Sequence, residues 1–239
     1  MMKQLEIGNI SVEVVKKDIK NLHLAVYPPN GRVRLAAPQG VNDETLRLFT
    51  ISKLPWIRKQ QRRFASQERQ PERKYVQRES HYILGKRYLL RIIESDKAAR
   101  VVIKNKTYIE LHVKPGSSKD QRQHLLNEWY RAELKKLIPE LLARWEKKIG
   151  VQAEDWGVKQ MKTKWGTCNI QKKRILVNLE LAKKPLHCLE YIIVHELVHL
   201  LERLHNERFL AYMDKFLPRW KYYRDELNKL PVSHIDWEY

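Results

Sequence analysis

Tyr191-Ile192-Ile193-Val194-His195-Glu196-Leu197-Val198-His199-Leu200, with a third histidine at His205, is the stretch on which the reading of this chain turns. It sets the pattern H-E-x-x-H inside an apolar run. Residues four apart lie on one face of an α-helix, so His195 and His199 project together. Two neutral imidazoles at that spacing can take two corners of a zinc tetrahedron, with Zn–N distances of ~2.0–2.1 Å. Glu196, next to the first histidine, would reach water at the metal and not the metal itself, where its carboxylate can serve as general base. The bland alternative is a pair of surface histidines beside a charged glutamate. It fits poorly with Ile192, Ile193, Val194, Leu197, Val198 and Leu200, an apolar surround that makes the ionisable trio costly without a metal.

The position of His205 carries more information than the short motif. In an unbroken helix, six steps of ~100° would turn His205 about 120° away from His199, too far to share a metal. Glu202 stays on the histidine stripe but would have risen ~10.5 Å beyond His195. The helix is therefore expected to end near Arg203–Leu204, with the chain turning back to present His205. Asn206 then reads as the N-cap of a following helix, Glu207 to Phe216. Metzincins place a glycine three residues after the second histidine, where this chain has Glu202, so the turn differs from theirs.

The chain has 239 residues, enough for one large domain or two subdomains with a substantial core. Hydrophobic content of 43%, with seven Trp and eleven Tyr, excludes a disordered chain. Lys and Arg exceed Asp and Glu by 19. Such an excess suits contact with nucleic acid, nucleotides or acidic surfaces, and equally a soluble basic surface, because the charges are spread along the chain. Two cysteines, Cys168 and Cys188, indicate no disulfide framework. The N-terminus lacks an apolar signal region and no apolar run is long enough to span a membrane, so a cytoplasmic protein without membrane contact is expected.

The segments around the motif give an α+β class, a β-rich N-terminal half followed by a helical, zincin-like half with a small β-sheet. Alternating residues predict strands at 10–14, 22–27 and 32–36, with a hairpin break at Pro28-Pro29-Asn30-Gly31. A helix is predicted from Asn42 to about Phe64, kinked or interrupted at Pro55. A polar connection, 66–80, leads to a second β section at 82–84, 86–93, 100–103 and 108–113. Pro115-Gly116-Ser117-Ser118 marks a boundary between a subdomain 1–117 and a subdomain 118–239, expected to work together as one unit. Beyond it Leu125, Trp129, Ala132, Leu137, Leu141 and Trp145 line a long helix ending near Gly150 and packing on the motif helix. A strand pair follows, 158–165 and 175–179, then Pro185 at the start of the motif helix. Short helices are predicted at 207–216 and 219–229. No internal sequence repeat is evident.

Lys164-Trp165-Gly166-Thr167-Cys168, Ile175-Leu176-Val177-Asn178-Leu179, Pro185, the motif helix, His205-Asn206-Glu207-Arg208-Phe209 and Leu217-Pro218 together resemble the YgjP-like metallopeptidases, relatives of the SprT-like zinc proteases among the minimal gluzincins. The motifs cover residues 161 to 218. The usual Trp-Gly-Ser-Cys reads Trp-Gly-Thr-Cys here, which keeps a hydroxyl. The resemblance implies one zinc ion per chain on His195, His199 and His205, with Glu196 as catalytic base. It also puts the Trp165–Cys168 strand beside the metal cleft. Trp165, Gly166 and Thr167 would bind an extended peptide there through backbone groups, with Gly166 allowing close approach. Cys168 reads better as a buried thiol than as a fourth ligand, because a catalytic site keeps a position open. Asn178 fits a strand-end role or a direct one equally well. His23, His81, His112, His124, His187 and His234 lack ligand spacing and are taken as structural or surface residues.

These readings imply a zinc-dependent hydrolase, foremost a peptidase acting on peptides or proteins. The second oxyanion donor would be Tyr212 or a cleft Arg or Lys. A metal-dependent nucleoside triphosphate pyrophosphatase, acting on UTP as described for some YgjP-like proteins, is the alternative that the positive charge suits, although the chain has no P-loop. A DNA-associated protease, as among the SprT-like relatives, is a third; no zinc finger or helix-turn-helix supports it.

Overall fold

The computed structural model describes residues 2–27, 30–66, 73–161 and 164–229. The chain divides into two compact units, Met1–Glu68 and Arg69–Tyr239. In the first, β1 (Met2–Ile7), β2 (Ile10–Lys17), β3 (His23–Tyr27) and β4 (Arg32–Pro38) form one sheet in the order β1-β2-β4-β3. β1 and β2 are antiparallel, β2 and β4 parallel, β4 and β3 antiparallel. Side-chain alternation sends Val12 and Val14 of β2 and Val33, Leu35 and Ala37 of β4 to one buried face. Leu46 of α1 (Asp43–Ser52) and Ile57 of α2 (Leu54–Ser66) close that core. The sequence reading has no strand before Ile10, so β1 is an addition. The helix expected from Asn42 is broken at Lys53, which puts Pro55 in the first turn of α2, where its missing N–H costs nothing. Asn42 caps α1, its side chain accepting from Thr45 N at 2.8 Å. Pro28 and Pro29 of the expected hairpin break, and residues 67–72 of the polar connection expected over 66–80, fall outside the described residues.

The second unit opens with β5 (Ser80–Ile83), β6 (Lys86–Glu94), β7 (Arg100–Ile103) and β8 (Tyr108–Val113), ordered β5-β6-β8-β7. Its pairing senses, antiparallel, parallel, antiparallel, repeat those of the first sheet. In each unit a helix follows the fourth strand. The chain thus contains a topological repeat without a visible sequence repeat.

That following helix is α3 (Lys119–Ile149), opened by a Ser118/Gln121 capping box and closed by Gly150, whose φ of 80 places it in the left-handed region. Its buried stripe is Leu126, Tyr130, Leu134, Ile138, Leu142 and Trp145. The stripe read from the sequence sits one position off over the first turns. Leu125, Trp129 and Leu137 flank the core half-buried and Ala132 is exposed, whereas Leu141 and Trp145 are buried as expected. Residue 117 lies inside this unit. Leu90, Ile109 and Leu111 of the sheet share one core with Leu126 and Leu134 of α3 and with Ile193, Val194 and Leu197 of the motif helix.

A third sheet, β9 (Asp155–Lys159), β10 (Gly166–Asn169) and β11 (Arg174–Asn178), has the order β10-β11-β9, with β9 parallel and β10 antiparallel to β11. The strand expected over 158–165 holds only for its first two residues: β9 runs from Asp155 to Lys159, and the chain leaves the sheet before β10. Asn178 holds this excursion. Its Nδ2 donates to Met161 O at 2.8 Å and Lys164 O at 2.7 Å, and its Oδ1 accepts from Met161 N at 3.3 Å. Of the two roles open to Asn178, the structure shows the strand-end one, satisfying backbone groups. A 3₁₀ turn at Leu179–Lys183 leads into α4 (Leu186–Val198), followed by α5 (Glu207–Phe216) and α6 (Trp220–Lys229). No described helix is long and apolar enough to cross a membrane.

Candidate active site

Pro185 is the N-cap of α4, and the helix buries Leu189, Ile192, Ile193, Val194, Leu197 and Val198. His195 and Glu196 are the polar residues of its final turn. The helix ends at Val198, with His199 as C-cap, several residues earlier than expected. It ends by tightening: Leu200 N donates to Leu197 O at 3.0 Å and Leu201 N to Val198 O at 2.9 Å. The Glu202 carboxylate then accepts from Leu204 N at 3.1 Å and folds the turn that returns the chain. Asn206 caps α5 as expected, its side chain accepting from Phe209 N at 3.0 Å. His205 is delivered between these two devices.

The potential ligand atoms of His195, His199 and His205 all lie within 4.8 Å of one another. Nε2 of His195 and Nε2 of His205 face each other at 3.0 Å. A tetrahedral ion with Zn–N of ~2.0–2.1 Å has ligand nitrogens about 3.3 Å apart, so this donor set fits a metal of that kind. The protonation states fit too. Burial pulls His195 down to about 3, with the charges of His199 and His205 adding to it. Burial also lowers His199. Both rings are therefore neutral at pH 7 with lone pairs to offer. His199 Nδ1 donates to Glu202 O at 3.1 Å, which leaves its Nε2 as the acceptor nitrogen. His195 Nδ1 is buried without a partner among the described residues.

Phe209, 1% exposed on α5, supports all three imidazoles, with centroid distances of 5.0 Å to His195, 4.8 Å to His199 and 4.7 Å to His205. Tyr191 meets His195 edge-on at 5.9 Å and stacks on Trp220 at 6.5 Å. The sequence reading assigned roles to neither aromatic. Phe209 carries no local signal in the sequence, because its reach to the site depends on how α5 packs.

Glu196 is 4% exposed, and burial pushes its carboxyl up to about 8 against the pull of the Lys164 charge. Gly166 of β10 packs directly on it. A Cβ at Gly166 would lie 2.5 Å from Glu196 Oε1 and 2.8 Å from Ile192 Cγ2, so any larger residue there forces these side chains to shift. Trp165, Gly166 and Thr167 line one cleft of ≈ 520 Å³ with His195, Glu196, His199 and His205. The predicted site residues are thus brought together in space. Cys168 also lines the cleft, half-buried, with its thiol pushed up to about 11 by burial and by Glu196, which keeps it protonated and a poor ligand. Tyr212 does not appear among the described cleft residues; its hydroxyl accepts from Arg208 at 3.2 Å. Arg203 and Arg224, unmarked in the sequence reading, do line the cleft.

A family model described as the YgjP-like metallopeptidase domain matches residues 20–230. Among solved structures, the chain is similar to the metallopeptidase zymogen of Pyrococcus abyssi abylysin, with 21% identity and a TM-score of 0.37 over 41% of this chain and 99% of that one. No curated protein matches the chain.

Proposed function

The chain belongs to the YgjP-like metallopeptidase family, a membership that implies a metal ion, and from that premise we propose a zinc-dependent peptidase that holds one ion per chain on His195, His199 and His205 and uses Glu196 as general base. The observation that carries this reading is the convergence of three histidines within 4.8 Å beside a buried carboxylate. When bound, the ion supplies Lewis acidity, polarising a carbonyl oxygen and acidifying water. The chain's own residues do the rest. His199 is oriented by Glu202 O, and Phe209 backs all three rings. The Glu196 carboxylate takes a proton from the attacking water and hands it to the departing amine nitrogen. β10 pairs with β11 along one edge only among the described strands, and its other edge offers backbone groups to an extended peptide. Gly166 lets that backbone come close to the base.

Metal analysis of the purified chain with peptide hydrolysis assays tests the proposal. One zinc per chain, activity lost on chelation and restored by zinc, and inactive Glu196→Gln and His199→Ala proteins are expected. A Glu196→Gln protein turning over peptide at the wild-type rate would sink the assignment of the base.

A further inference from the structure

Resting on the peptidase reading, we propose that the cleft selects peptides with Asp or Glu side chains beside the scissile bond. Among its described lining residues three are cationic, Lys164, Arg203 and Arg224, and one is acidic, Glu196. Glu196 lies at the buried floor, and one acid against three cations leaves the lining with an excess of positive charge. The cations come from three separate parts of the chain. Lys164 precedes the β10 wall, Arg203 sits in the turn between His199 and His205, and Arg224 lies on α6.

They are not equivalent. The Arg224 side chain donates to Asp225 at 2.9 Å and covers the Trp220 ring at 5.0 Å, so its charge is largely answered and its position fixed. Lys164 and Arg203 are exposed and have no ion-pair partner among the described residues. They flank the histidines along the chain's own path, one from the segment that leads into β10 and one from the turn that delivers His205. A peptide laid along β10 projects alternate side chains to either side. A carboxylate on such a side chain meets a cation held in no ion pair among the described residues, whereas a lysine there meets like charge. The spread of positive charge over the whole surface aids approach of any anion, but only the cleft residues select at the bond cut.

The test uses the full chain loaded with zinc and a mixed peptide library whose cleavage sites are read by mass spectrometry. Matched peptides carrying Asp, Asn or Lys at the positions next to the cut follow. The Asp peptide is expected to exceed the Lys peptide in kcat/KM by roughly fivefold to tenfold, the order of one partly screened charge pair. That ratio should shrink as salt rises toward ~1 M. Arg203→Glu and Arg203→Gln, at an exposed position, should lower kcat/KM for the Asp peptide and raise it for the Lys peptide, with melting curves showing intact folds. Equal cleavage of Asp and Lys peptides overturns the acidic-substrate inference and leaves the peptidase reading standing. So do variants that slow both peptides alike. Cleavage of no peptide, with pyrophosphate released from UTP instead, overturns both.

Discussion

His199 Nδ1 donates to the carbonyl oxygen of Glu202 at 3.1 Å, so the residue that ends the motif helix is oriented by the turn that follows it. The same Glu202 uses its carboxylate to accept from Leu204 N. One residue thereby aims one candidate ligand and bends the chain toward the next. Glu202→Gly removes the side-chain bond and loosens the backbone that supplies the carbonyl. The expected result is zinc affinity weaker by about tenfold or more, the range found when a ligand's outer partner is lost. Glu202→Gln keeps an acceptor for Leu204 N and should retain most of the affinity. Competition with a chromophoric chelator measures both. Wild-type affinity in the glycine variant would show that the turn holds without Glu202.

Gly166 and Glu196 yield a prediction that separates chemistry from metal binding. The methyl carbon of an alanine at position 166 would come within 2.5 Å of Glu196 Oε1, and Ile192 closes the other side, so the carboxylate has nowhere to stay. Gly166→Ala should leave zinc content unchanged, since no histidine is touched. It should reduce kcat by about 100-fold, the order expected when a catalytic group is displaced by about 1 Å. Metal analysis and steady-state kinetics on the same preparation read the two effects. A kcat close to wild type would mean that Glu196 can move aside and still act.

Phe209 joins packing to the site. It is 1% exposed and touches all three imidazoles, so its removal both opens a cavity and frees the rings. Phe209→Ala is expected to cost about 3–5 kcal/mol in denaturant unfolding and to weaken zinc binding as well. Phe209→Leu, which refills most of the space, should recover most of both losses. A penalty below about 1 kcal/mol for alanine would show that the rings are held mainly by their own helix and turn.

The parts of this site legible in the sequence are those written in local codes. The i, i+4 pairing of His195 and His199, the need for the chain to turn before His205, and the Asn206 cap are each set within a few residues. The early end of α4 at Val198 was not legible, because it has no glycine or proline signal and depends on a tightened turn that Glu202 stabilises. Phe209, Arg203 and Arg224 reach the site only through the packing of α5, the turn and α6, which no spacing rule encodes. The stripe of α3 was misplaced by one residue because flanking Leu125 and Trp129 are as apolar as Leu126 and Tyr130. The repeat of sheet topology is likewise invisible to residue identity, since strand order depends on pairing partners and not on which apolar residues alternate.

Lys184, next to the start of α4, provides a prediction in pH. It is 5% exposed, and its ammonium lies 5.8 Å from the Trp165 ring centroid. Burial lowers its pKa to about 8, partly opposed by the charge of Glu180. An unfolded lysine titrates at ~10.4. Between pH ~8 and ~10.4 the unfolded chain therefore holds a proton that the folded chain has released, and stability from this group rises with pH across that window. Below pH ~8 the penalty is fully present, on the order of 3 kcal/mol. Lys184→Met should raise the denaturant midpoint at pH 7, because Glu180 keeps its bonds to Lys183 at 2.7 and 2.9 Å. The gain should fade as pH approaches ~10.4, where the wild-type lysine is losing its proton in the unfolded chain too. A variant less stable than wild type at pH 7, by a margin that persists at high pH, would mean that the contacts of Lys184 outweigh its desolvation.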